Sequence, residues 1–193
     1  RLASYAFSMF ARQQAAGRVL AALLGIWLGT VLLSGAVAAV AFLVMKQFNP
    51  QIPTLAAARE PWMIAAGEIG RRGFKMAGYV QLAVGAGCLL AAFSAWGSRS
   101  GVPRAPRIIG ICALIVSLGL LASSTWLQVR MNDTFEQHVA AVRANDLPKA
   151  DALMATFQGM HPPSTRIMSG MAISVLLAMI AAACPARPQQ AAP

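Results

Sequence analysis

Four long apolar runs dominate the chain, each close to the roughly 20 residues a helix needs to cross about 30 Å of hydrocarbon. The first lies between Arg18 and Lys46 and holds no charge. The others cover about Met76–Trp96, Ile108–Gln128 and Ile167–Cys184, the last starting from about Thr165. No run shows strand-like alternation, which removes a β-barrel. Only 11% of the 193 residues are charged and 58% are hydrophobic, whereas an ordinary soluble domain carries about 25% charge. A soluble globule, a disordered chain and a collagenous chain are thereby excluded. The expected fold is an all-α membrane protein: a four-transmembrane-helix bundle within residues 18–184, with helical extensions from both long loops on the non-cytoplasmic side.

Trp96 and Trp126 stand at span ends, where an amphipathic ring prefers the headgroup level. Trp27 lies inside the first span, as a packing or lipid-facing residue. Gly25 and Gly29 flank it as a Gly-x-x-x-Gly pair, which favours close packing inside this bundle over a dimer face. Cys88, Cys112 and Cys184 fall one to a span without a Cys-x-x-Cys pair, and read as small apolar residues rather than metal ligands.

Loop charge sets the expected orientation. Four spans put both termini and the second loop on one side, with Arg1, Arg12, Arg18, Arg99, Arg104, Arg107 and Arg187 and no acid. The opposite side holds the remaining Lys and Arg over longer loops, with all six carboxylates. Counting cations in short loops predicts N-in and C-in, in a bacterial inner membrane. Residues 1–17 have two readings, an interfacial segment that turns into the first span or a frayed end. The apolar run continues past Ala36-Val37-Ala38, so a retained signal anchor fits better than a cleaved peptide. Residues 185–193 are too polar and Pro-rich to pack, and are expected to be disordered.

The long loops concentrate the polar information. A helix is expected from Pro61 straight into the second span, with Glu68 and Arg72 spaced i, i+4 and Arg71 at i+3 for a local ion pair. Gly67, Gly70 and Gly73 either weaken that stretch or thin it for close contact with a neighbour. The third span is expected to continue to about Ala144, with Phe135, Val139 and Val142 as an apolar stripe. After Asn145, Asp146 can cap a short helix bearing Ala150, Leu153, Met154 and Phe157. His161-Pro162-Pro163 is expected to end it, and Ser164 to cap the fourth span. Together the loops predict a small helical cap.

No catalytic set is legible. The spans hold no charge, and Gln81 is their strongest polar group, which speaks against a proton relay or voltage sensor. Neither histidine is placed to ligate haem; His138 is expected on the surface and His161 at a turn. No Ser-His-Asp arrangement, phosphate loop or His-Glu-x-x-His occurs. No cofactor or metal is expected, and the juxtamembrane cations suit anionic headgroups rather than nucleic acid.

Three elements in order carry a family resemblance. They are Trp27-Leu28-Gly29 with Ser34-Gly35 in the first span, Trp126-Leu127-x-x-Arg130 ending the third, and Phe157-x-x-x-His161-x-x-Ser164 before the fourth. Together they resemble the four-span domain of unknown function shared by bacterial DUF4149 proteins and the eukaryotic transmembrane protein 205 family. The resemblance implies the fold and no activity, and Pro162 stands where that family tends to carry Gly.

The expected role is therefore a non-enzymatic accessory or scaffolding component in the lipid bilayer, with a membrane-protein partner or a second copy as its contact. Its candidate residues are Trp27, Gly29, Glu68, Arg72, Trp126, Arg130, Phe157, His161 and Ser164. The alternative is a small oligomeric transporter or permeation module for a neutral or weakly polar solute, with Thr30, Gln81 and Arg130 as contacts. An intramembrane enzyme ranks third, with Glu68, His138 and His161 as its titratable groups.

Overall fold

The computed structural model describes residues 2–55, 58, 60–96 and 103–184, with side chains from Gln14 onward, Thr54 apart. The chain forms helices α1 (Leu2–Phe48), α2 (Pro61–Trp96), α3 (Arg104–Arg143) and α4 (Leu147–Ala183), with one 3₁₀ turn at Pro53–Leu55. The described residues contain no strand. The four helices have 47, 36, 40 and 37 residues. At about 1.5 Å per residue the shortest reaches roughly 54 Å, well beyond the ~30 Å of hydrocarbon. All four are long and apolar enough to cross a membrane, so this is an integral membrane protein with an all-α four-helix bundle. The charge-free parts of α2, α3 and α4 are the segments that fit the hydrocarbon, and the charged remainders extend past it.

The chain divides into two units, and each helix contributes a stretch to both. The first comprises Arg1–Thr30, Val80–Leu120 and Gly170–Pro193. Its interior is built from Leu20, Leu24, Trp27, Cys88, Ser117, Met171 and Val175, all but inaccessible. Ser117 Oγ donates to Ser174 Oγ at 2.8 Å and the Ser174 hydroxyl donates to Met171 O at 3.1 Å, with Ala113 O at 2.8 Å the alternative acceptor for the single Ser117 proton. Both hydroxyls thus find partners where water is absent. Leu90 and Phe93 instead are 76% and 85% exposed. In water such rings and branches would be a liability; against lipid tails they cost nothing.

Trp96 departs from expectation. It stands at the end of α2, but its ring is buried against protein, and a Cβ built on Gly110 would stand 2.5 Å from its Cζ2. The missing side chain at residue 110 makes the room that the indole fills. The Gly-x-x-x-Gly pair splits: Gly25 faces Met179 Sδ at 3.9 Å, while a Cβ on Gly29 would meet nothing within 4 Å. The N-terminal segment is helical and continuous with the first span, without a turn at residues 14–18. The loop holding Arg99 and the tail 185–193 lie outside the described residues.

The second unit comprises Val31–Tyr79 and Leu121–Ser169. Its core joins Leu55 and Ile64 to Phe135, Ala141, Val142 and Ala150, with Ile52, Ala58, Val139, Leu153 and Phe157 packed around them. This is the expected helical cap. The turn between α3 and α4 is set by two short side chains. Asn145 takes φ 57°, a left-handed conformation that asparagine tolerates well. Its N–H then bonds Val142 O while the Asp146 N–H bonds Ala141 O, both at 3.0 Å, closing a Schellman motif. Asp146 at once caps α4, accepting from the Lys149 N–H at 3.3 Å.

One expectation fails here. His161-Pro162-Pro163 does not end a helix, and Ser164 does not cap one, because α4 runs unbroken through both prolines. The prolines offer no N–H to the carbonyls of Gln158 and Gly159. Residues 158, 159 and 161–163 are all exposed, so water or headgroups can satisfy those carbonyls. The expected break therefore does not follow from the prolines alone.

Candidate functional site

The polar side chains of the second unit gather around α2 and α3. Arg71 grips Glu68 through two bonds, Nε to Oε2 at 2.8 Å and Nη2 to Oε1 at 2.9 Å. Its Nη1 reaches Glu136 Oε1 on α3 at 2.9 Å, and Arg72 Nε donates to Glu68 Oε1 at 2.7 Å. The bidentate fork is the strong form of this pairing. Hydrogen bonding from Arg71, joined by Arg72, outweighs partial burial and holds the Glu68 carboxyl down to about 2. The same bond raises Arg71 above its ordinary value. The expected Glu68–Arg72 pair is present, but Arg71 is its centre. An arginine bound on two sides by carboxylates is a brace between α2 and α3 and leaves little of its donor capacity for a ligand.

His138 is the larger correction. It is 7% exposed, not a surface residue, and its Nδ1 lies 2.9 Å from the Ala150 carbonyl. A carbonyl only accepts, so Nδ1 carries the proton in this bond. The sequence contained this signal: 135, 138 and 142 are spaced i, i+3, i+7, so His138 shares the face of Phe135 and Val142. The ring lines a cavity of about 300 Å³ together with Glu60, Asp151, Gln158, Met63 and Met154, among others. Sequence reasoning missed Glu60 and Asp151, which stand far apart along the chain and carry no motif.

The other candidates fall into separate places. Trp126 is 60% exposed with the Arg130 guanidinium 4.9 Å from its ring centre, a cation–π pair at the span end. Phe157 meets His161 edge-on at 4.8 Å and Phe135 at 5.6 Å. Trp27 is fully buried in the first unit, and its indole N–H is the one buried side-chain N or O atom without a partner among the described residues. Gly29 is exposed and Ser164 half-buried within α4. Glu68 and His161 do not line the cavity beside His138, so the three titratable groups do not share it. Among the described residues no three His, Cys, Asp or Glu side chains could hold a metal ion.

Compared with family models, curated proteins and solved structures, the chain matches none.

Proposed function

We propose that this protein is a non-enzymatic accessory or scaffolding component of its membrane, with the cap as its recognition element. One observation carries the reading: the helical extensions beyond the apolar runs have an apolar core and an inter-helix ion-pair brace, while the apolar runs carry no charge. A structured head on a chemically plain anchor suits contact rather than turnover. The acid-free arginines beside the termini support an N-in, C-in arrangement in a bacterial inner membrane, with the cap outside the cytoplasm. The order of Trp27, Gly29, Trp126, Arg130, Phe157, His161 and Ser164 supports kinship with the DUF4149 and transmembrane protein 205 families. Blue-native electrophoresis of native membranes in mild detergent tests the role. A species larger than the monomer is expected; a monodisperse monomer with no partner overturns it.

Permeation of a neutral solute is the second reading, favoured by burial of Gln81 in the apolar part of α2. Solute flux in liposomes that falls on Gln81→Leu or Arg130→Ala supports it, and flux unchanged by both removes it.

A further inference from the structure

Three exposed cations mark one level of the second unit. The charge-free run of α3 is Ile108–Gln128, and Trp126 stands roughly 27 Å along the helix from Ile108, about one hydrocarbon thickness. Arg130 follows one turn nearer the cap, at the depth of lipid phosphates. On α2, a Cβ on Gly78 would lie 3.6 Å from Gln128 Oε1, so Lys75, one turn nearer the cap, shares the level of Arg130. On α4, Phe157 packs on Phe135 at 5.6 Å, and Arg166 lies as far along the chain from Phe157 as Trp126 does from Phe135. Lys75, Arg130 and Arg166 are all exposed. None of them makes an ion pair among the described residues, which include all six side-chain carboxylates of the chain. Arg130 decides the direction. Asp133 stands at i+3, a spacing that suits a helical ion pair, yet the guanidinium turns the other way and lies 4.9 Å from the Trp126 ring centre. On α3 that way leads from the cap toward the hydrocarbon.

We propose that Lys75, Arg130 and Arg166 form a headgroup belt that selects anionic phospholipids in the cap-side leaflet, with Arg130, stacked on Trp126, as the main phosphate ligand. A guanidinium laid on a ring keeps its N–H edge free, and that edge matches two phosphate oxygens. The indole beneath it is amphipathic and suits the headgroup depth. A zwitterionic headgroup also has a phosphate, but its ammonium cancels the net charge, whereas unpaired cations at the bilayer surface favour a net negative one. Exposed Ala122, Trp126 and Val129 below the guanidinium give the acyl chains an apolar face. An acidic protein segment would have to be brought to this depth, where the lipid phosphate already is. The belt needs no protein partner and holds for either direction of insertion, so it stands apart from the role proposed for the cap.

Native mass spectrometry of the purified full-length protein, titrated with phosphatidylglycerol or with phosphatidylcholine of identical chains, tests it. Wild type is expected to bind the first phosphatidylglycerol about 5-fold or more tighter than phosphatidylcholine. Arg130→Gln should weaken phosphatidylglycerol about 3- to 5-fold and leave phosphatidylcholine unchanged. Arg130→Lys, which keeps the charge, should retain most of the preference and so separates lost charge from lost folding. Lys75→Gln and Arg166→Gln should each act in the same direction as Arg130→Gln. Arg143→Gln, exposed in the last turn of α3 and about 20 Å farther into the cap, should change nothing. Millimolar inorganic phosphate should not displace the lipid; displacement would make a soluble phosphate the ligand and overturn the lipid belt. Equal binding of the two lipids by wild type overturns it as well. So does a preference unmoved by all three belt variants, or one lost only in Arg104→Gln, at the opposite end of α3.

Discussion

The ring of Phe135 occupies the space where a side chain on residue 67 would begin: a Cβ built on Gly67 would stand 2.7 Å from its Cε2. Phe135 is 4% exposed in the core of the cap, so α2 and α3 meet there through a missing methyl group. Gly67→Ala must push a buried ring aside and should cost about 1–3 kcal/mol. Gly29→Ala is the matched control, with nothing within 4 Å and a better helix former in place of glycine. Thermal unfolding in detergent should show a lowered midpoint for the first and an unchanged or raised one for the second. Equal midpoints would contradict the packing.

Acid should loosen the same unit. The Glu68 carboxyl sits at about 2 in the folded protein against an ordinary 4.5, chiefly through its hydrogen bond with Arg71. A depressed carboxyl contributes its stability fully above pH 4.5 and loses it as pH falls toward 2. Because Glu68 keeps 35% of its side chain exposed, screening reduces the effect to the order of 1 kcal/mol. Wild-type protein should lose thermal stability over that window more steeply than Glu68→Gln. Parallel pH profiles would mean that the pair contributes nothing.

Inside the first unit, the Ser117–Ser174 bond is expected to be modest. Each hydroxyl also has a carbonyl of its own helix, so deleting either leaves the other satisfied. A double-mutant cycle with Ser117→Ala and Ser174→Ala should give a coupling of about 0.5–1 kcal/mol. A coupling near zero would leave the backbone bonds as the only role of these hydroxyls.

Much of this architecture was legible because its cause is local. Charge-free runs fix the spans, the Phe135–Val142 stripe fixes the buried face of α3, and Asn145-Asp146 fixes the turn into α4. What escaped depends on neighbours far along the chain. Trp96 looks like an exposed ring until Gly110 opens a slot that buries it. Pro162 and Pro163 look like a helix stop until the residues around them prove to be exposed. His138 looked polar and therefore superficial, although its spacing already placed it on the apolar face. Glu60 and Asp151 acquire meaning only when folding brings them to one cavity.

Topology follows from the same charges. A single cysteine introduced at Asp146, at the exposed turn between α3 and α4, in a chain freed of its own three cysteines, should react with a membrane-impermeant maleimide on intact cells. A cysteine at Arg104 should react only after lysis. The reverse pattern would put the cap in the cytoplasm.

As proposed above, the cap is a recognition element carried on a passive anchor. Its most direct measurement is blue-native electrophoresis of native membranes holding either wild-type protein or Gly67→Ala at matched abundance. Wild type should migrate in a species larger than the monomer, and the cap variant should shift toward the monomer. A wild-type monomer, or an assembly indifferent to the cap substitution, would contradict the account.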